Sequence, residues 1–230
     1  MDITPTRQGL RLSQHGVVIS ELRTSPGPTH SVFDVLAALV EVLRPPGPVG
    51  MLGFAGGGML APFAAMGWTL PFSAVDLDRE AYELFRRHCP HWRDQVAWHH
   101  GDAVAWLRRQ RRPFGLLLDD LSVPVDGDVF KPAVCWKTLP ALIRARLRPD
   151  GVALFNLLLS PGDAWTKAVP RVAEPFGEAR VILLDDFENR LLVAGTALPS
   201  ARALALALRR ALVRLGSRQA GRFRVRRVRR

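Results

Sequence analysis

Apolar residues fall along this chain in two alternating textures. Residues 49–52, 72–77, 95–99, 116–118 and 152–159 are short runs dominated by apolar side chains. Such runs read as strands covered on both faces, as parallel strands are. Between them, residues 31–43, a segment beginning near Leu60, and residues 79–89, 103–110, 133–147 and 165–176 read as helices. The first helix must stop before Arg44-Pro45-Pro46-Gly47-Pro48, because proline lacks the N–H and clashes with the preceding turn. Pro62 is compatible with a helix starting near Leu60, whereas Pro140 leaves the bounds of 133–147 open. Residues 179–186 and 189–196 then follow as two strands joined by a tight connection at Phe187-Glu188. This order predicts an α/β fold with a doubly wound, mostly parallel seven-stranded sheet ending in an antiparallel hairpin.

Three segments organise the chain. Residues 1–30 read as an N-terminal β-hairpin flap, with RLSQHGVVISEL as the hairpin and TSPGPTH as a turn-rich break. Residues 31–200 make the α/β domain. Residues 201–230 read as a basic amphipathic helix, ALALALRRALVRLGSRQ, followed by an extended or disordered Arg-rich tail, GRFRVRRVRR.

Charge follows this division. The formal net charge is +11, and the last segment holds eleven arginines and no acid, so residues 1–200 are formally neutral. Nucleic acid or another anionic surface would be met through this segment only; its plainer reading is a solvated, arginine-biased terminus. The two cysteines, Cys89 and Cys135, lack metal-ligand spacing and read as buried free thiols, which suits the cytoplasm. With no secretory signal, no bilayer-length apolar run and no convergent histidines, neither a transmembrane segment nor a metal is expected.

Candidate chemistry clusters where strands end. Gly53-Phe54-Ala55-Gly56-Gly57-Gly58 lies between a strand and a helix, where positive φ and close backbone approach to a ligand call for glycine. Asp76 ends the next strand, where a carboxylate can accept from both ribose hydroxyls, in NAD or S-adenosylmethionine alike. Asp78 reads as a helix cap. Asp102 follows the third strand and suits either an N-cap or an adenine amino group. Asp119 and Asp120 end the fourth strand, where open parallel sheets place their ligands.

The glycine turn, VDLD, HHGDAVAWL, the acidic end of LLLDD and the final hairpin together resemble the class I S-adenosylmethionine-dependent methyltransferase superfamily. The nearer resemblance is to its polyamine-synthase branch, the spermidine-synthase-like proteins, over residues 30–196. It implies a Rossmann-like methyltransferase fold, S-adenosylmethionine as cofactor and a homodimer. An exposed apolar face on the helix at 31–43 would support that dimer. It also implies that Gly53, Ala55 and Gly57 pass the methionine part and ribose, that Asp76 holds the ribose, and that Asp102 and Ala103 meet the adenine. Ala55 fits that role if its φ is negative.

Asp120 takes the position of the acid that receives or orients a proton of the attacking nucleophile, with Asp119 beside it as a second catalytic candidate. Phe130, Trp136, Asn156 and Trp165 could line a substrate pocket, or pack in the core. Two positions depart from the polyamine-synthase pattern. The family turn is GGGDGG, so Gly56 replaces the acid that faces a propylamine ammonium. Val123, before Pro124, replaces the acid that holds a cationic amine; Asp119, Asp126 or Asp128 could compensate. Together these imply methyl transfer to an unidentified small acceptor. The alternatives are aminopropyl transfer or a catalytically silent cofactor-binding or interaction protein. A nicotinamide-dependent enzyme fits the third-strand GDA and the terminal hairpin poorly.

Overall fold

The computed structural model describes every residue except 45, 69–71, 90–91, 126–127, 160–161 and 229–230, and every side chain among them except those of 93, 124 and 125. The N-terminal flap is a three-stranded antiparallel sheet of β1 (Asp2–Thr6), β2 (Gly9–Gln14) and β3 (Val17–Arg23), one strand more than the hairpin expected. Its β2–β3 turn passes through His15 and Gly16 at φ 49° and 78°, the positive pair that suits a two-residue hairpin turn. Leu12 and Leu22 project from it into the core.

Helix α1 (Val32–Leu43) is capped by the Ser31 hydroxyl, which accepts from Phe33 N–H. Then come β4 (Val49–Leu52), α2 (Leu60–Ala65), β5 (Phe72–Asp76), α3 (Arg79–His88), β6 (Val96–His100), α4 (Ala103–Arg109) and β7 (Phe114–Asp119). A small hairpin follows, β8 (Val123–Val125) and β9 (Asp128–Phe130). The single helix expected over 133–147 is two, α5 (Ala133–Trp136) and α6 (Leu139–Arg146). Pro140 sits in the first turn of α6, where its missing N–H breaks no helical bond. The chain ends with β10 (Leu147–Leu157), α7 (Trp165–Ala173), β11 (Glu178–Leu184), β12 (Arg190–Gly195), α8 (Ala201–Leu215) and β13 (Phe223–Arg227).

The main sheet has the order β13-β11-β12-β10-β7-β4-β5-β6. β10, β7, β4, β5 and β6 run parallel, and β12, β11 and β13 extend the sheet antiparallel on one side. The expected fold is thus present with eight strands instead of seven. The additional strand is the Arg-rich terminus. Phe223 and Val225 turn inward while Arg224 and Arg226 are exposed, a period of two that arginine-rich composition conceals.

Consecutive residues of the buried strands serve opposite faces. Leu116 and Leu118 of β7 join the layer of α1, α2, α3 and α8, and Leu117 joins that of α4 to α7. On β10, Val152 and Leu154 take the first side, Ala153 and Phe155 the second. α8 lays Leu204, Leu208, Ala211 and Leu212 into the core shared with α1, so the apolar face of α1 is covered within the chain. Among the described residues no helix is long and apolar enough to cross a membrane.

Candidate functional site

The strand order reverses between β4 and β7, and a cleft of about 1030 Å³ opens there at the carboxyl ends. Gly53 stands at its base with φ 86°; a Cβ there would lie 2.6 Å from the Asp120 carbonyl oxygen, so only glycine fits. Ala55 also lines the cleft, but at φ 44°, against the negative value expected. The reason is visible next door. Asp76 Oδ2 accepts from Phe54 N–H at 2.5 Å and Ala55 N–H at 2.7 Å, which curls the loop around the carboxylate. Gly57 has φ 71° and turns toward Phe54 and Phe85, away from the cleft.

Asp76 Oδ1 accepts from Asp78 N–H at 2.8 Å. Three of about four acceptor positions on this carboxylate are therefore occupied. One ribose hydroxyl can be accepted directly; accepting both means releasing a loop N–H. Asp78 caps α3 as expected, accepting from Ala81 N–H at 2.9 Å, and its other oxygen accepts from Gln14 of the flap. Asp102 caps α4 through Ala105 N–H at 2.7 Å and, with Ala103, borders the cleft. The flap supplies a further wall, including Ser20, whose buried hydroxyl has no protein partner.

The two acids after β7 have separate fates. Asp120 lines the cleft, and its Oδ1 accepts from Asn156 Nδ2 at 2.7 Å; Asn156 Oδ1 in turn accepts from Asn189 Nδ2 at 2.8 Å. Burial raises the Asp120 carboxyl to about 6 against the pull of Lys131 and the Asn156 bond, with Asp119 and Asp76 pushing it further up. Asp119 turns into the α4–α7 layer, away from the cleft. It pairs with Lys131 at 3.0 Å, both side chains being at most 1% exposed. Burial alone would lower the Lys131 ammonium, but Asp119 and its neighbours hold it raised. Cys135 donates weakly to the same carboxylate at 3.8 Å, and burial and Asp119 push its thiol far up.

A second cavity of about 720 Å³ adjoins the cleft, sharing Asp128, Val129, Leu158, Phe187 and Asn189 with it. Phe130 and Trp165 line this cavity, and Asn156 lines the main cleft, whereas Trp136 packs in the core without reaching either. Asp126 lies outside the described residues. Sequence reasoning passed over Asn189 and Lys131. Asn189 sits in a short connection with no periodicity to mark it. The signal for Lys131 was a lone lysine between Phe130 and Pro132.

No family model matches the sequence, and comparison with curated proteins finds no match. Solved structures do match. A probable spermidine synthase from Corynebacterium glutamicum superposes with a TM-score of 0.73 at 18% identity, over 97% of this chain and 86% of that one. Human methyltransferase-like protein 13, in complex with SAH, gives 0.62 at 18% identity over 80% and 91%. Spermidine synthase from Thermotoga maritima gives 0.63 at 14% identity over 86% and 68%. The fold is that of class I methyltransferases and spermidine synthases.

In this methyltransferase-like fold, Gly56 faces the flap and Val123 stands at the cleft. A Cβ at Gly56 would lie 2.4 Å from Leu22 Cδ1 and 2.7 Å from Leu12 Cδ1, so the flap's core leucines fill the direction an acid would need. Val123 is 44% exposed on β8 at the cleft.

Proposed function

We propose that this protein is an S-adenosylmethionine-dependent transferase that moves a methyl group in preference to an aminopropyl group. The observation that carries the reading is the packing of Leu12 and Leu22 against Gly56. A decarboxylated cofactor would present an ammonium without its carboxylate. Leucines filling the position of the balancing acid leave that charge poorly compensated.

The cleft suits the cofactor on its own terms. Gly53 admits a ligand to the backbone, Asp76 keeps an acceptor position for a ribose hydroxyl, and Asp102 and Ala103 border the place for adenine. The unpartnered Ser20 hydroxyl offers a polar contact to the ligand. When bound, S-adenosylmethionine supplies a carbon made electrophilic by its sulfonium.

The chain's own part is positioning and proton handling. Asp120, held by the Asn156–Asn189 relay, accepts a proton from the nucleophile of an acceptor entering through the adjoining cavity. A carboxyl near 6 is ionised at neutral pH, yet close enough to its midpoint to exchange the proton.

Calorimetric titration of the purified protein with S-adenosylmethionine and with its decarboxylated form tests the reading. The carboxylated cofactor is expected to bind more tightly, with negligible turnover of putrescine. Tighter binding of the decarboxylated form, with spermidine formed over many turnovers, overturns it.

A further inference from the structure

The Arg-rich terminus is a folded part of the sheet, and its arginines meet the second cavity. Leu183 of β11 pairs with Arg190 of β12 on one side and Arg224 of β13 on the other. Residues opposite one another in a sheet share a face, and so do residues two apart on one strand. Arg190, Arg224 and Arg226 therefore stand together on the face covered by α7, and Arg190 and Arg224 line the cavity.

The same cavity also carries the carboxylates of Asp128, Asp163 and Glu188. Arg224 has Asp185 at 3.3 Å, but among the described residues no carboxylate pairs with Arg190. Its guanidinium lies 4.5 Å over the Trp165 ring, and burial first, then the charge of Arg226, holds it below its ordinary value.

The geometry points to a nucleotide within a single-stranded nucleic acid as the acceptor, its phosphates on Arg190, Arg224 and Arg226 and its base in the adjoining cavity. The inference rests on the transferase reading of the cleft. Three features of the cavity favour a base. Its volume is about 720 Å³, and Phe130, Trp165 and Phe187 supply aromatic surface for stacking. Its carboxylates, Asp128, Asp163 and Glu188, accept from exocyclic amino groups as acids do in base recognition. Arg224 and Arg226 are two strand positions, about 7 Å, apart, a separation that successive phosphates of an extended strand can span.

The test is fluorescence anisotropy of a labelled single-stranded oligonucleotide of about 20 nucleotides with the full chain, titrated over a range of salt. Binding should weaken steeply with salt. Replacing Arg190, Arg224 and Arg226 together with Gln should cost on the order of 100-fold at low salt and flatten the log–log salt slope by about 2. Trp165→Ala should lose on the order of tenfold with the slope unchanged, and Trp165→Phe should recover most of it. A purely structural role would not split affinity from slope this way, and thermal unfolding of each variant monitors the fold. The inference is overturned if the triple variant binds like the parent, if a mononucleotide competes as well as the strand, or if only anionic phospholipid vesicles bind. S-adenosylmethionine affinity is measured separately. Cofactor binding without strand binding rejects this inference alone, whereas strand binding without cofactor binding rejects the transferase reading and with it the strand's part as acceptor.

Discussion

Asn156 of β10 donates to Asp120 at the end of the neighbouring β7, so a polar residue inside an apolar strand aims the carboxylate of the cleft. Asn189 fixes the orientation of the Asn156 amide by donating to its oxygen. The relay predicts that Asn156→Leu lowers transfer by one to two orders of magnitude, about 1.4 kcal/mol per tenfold, while leaving cofactor affinity within about twofold. Equal losses in both would mean that Asn156 shapes the cleft as a whole.

The Asp120 carboxyl, raised mainly by burial to about 6, predicts opposite pH trends for rate and stability. Transfer should rise with pH through about 6 as the base ionises, and Asp120→Asn should remove that limb. For stability, a raised carboxyl favours the protonated folded state. Its contribution is full below the unfolded value of 3.8 and lost as pH rises through about 6. Asp120→Asn should therefore unfold at higher urea than the parent at neutral pH, by roughly 1–3 kcal/mol, with the gain shrinking toward pH 4. A constant difference across that window would remove Asp120 as its source.

Asp119 and Lys131 form an ion pair sealed from water. Lys131→Met strands a buried carboxylate and should cost about 3–5 kcal/mol by urea unfolding. Adding Asp119→Asn to it should restore much of the loss, because the cost lies in the unpaired charge rather than in the missing attraction. Two additive losses would contradict that account.

Ala55 holds a left-handed φ of 44° that glycine adopts without a Cβ penalty. Ala55→Gly should be neutral or stabilising by up to about 1 kcal/mol and keep cofactor affinity; Ala55→Val should lose both. Asp76→Ala, which frees the Phe54, Ala55 and Asp78 N–H groups, should abolish most cofactor binding in calorimetry.

Gly56→Asp asks whether the missing acid can simply be restored. With Leu22 Cδ1 at 2.4 Å from the new Cβ, it should destabilise the chain by about 1–3 kcal/mol and gain no affinity for the decarboxylated cofactor. A stable variant with improved affinity would show that the flap yields readily.

The strand at 49–52, the helix stop before Pro45-Pro46, the Asp78 cap and the parallel order of the sheet were legible because each depends on neighbours in sequence. Continuous apolar runs separated by helical periods encode a doubly wound sheet, and glycine and aspartate at strand ends mark its ligand edge. Tertiary structure alone decided the rest. It separated Asp119 from Asp120, adjacent residues of one strand end, by giving one a buried lysine and the other the cleft. It set the Ala55 backbone through a carboxylate 21 residues away. It also turned an Arg-rich terminus into an edge strand, since β11 offered unpaired N–H and C=O groups and a face for Phe223 that no local pattern announces. Local propensity is written in adjacent residues, but partners for a buried charge or an open strand edge exist only once distant segments meet.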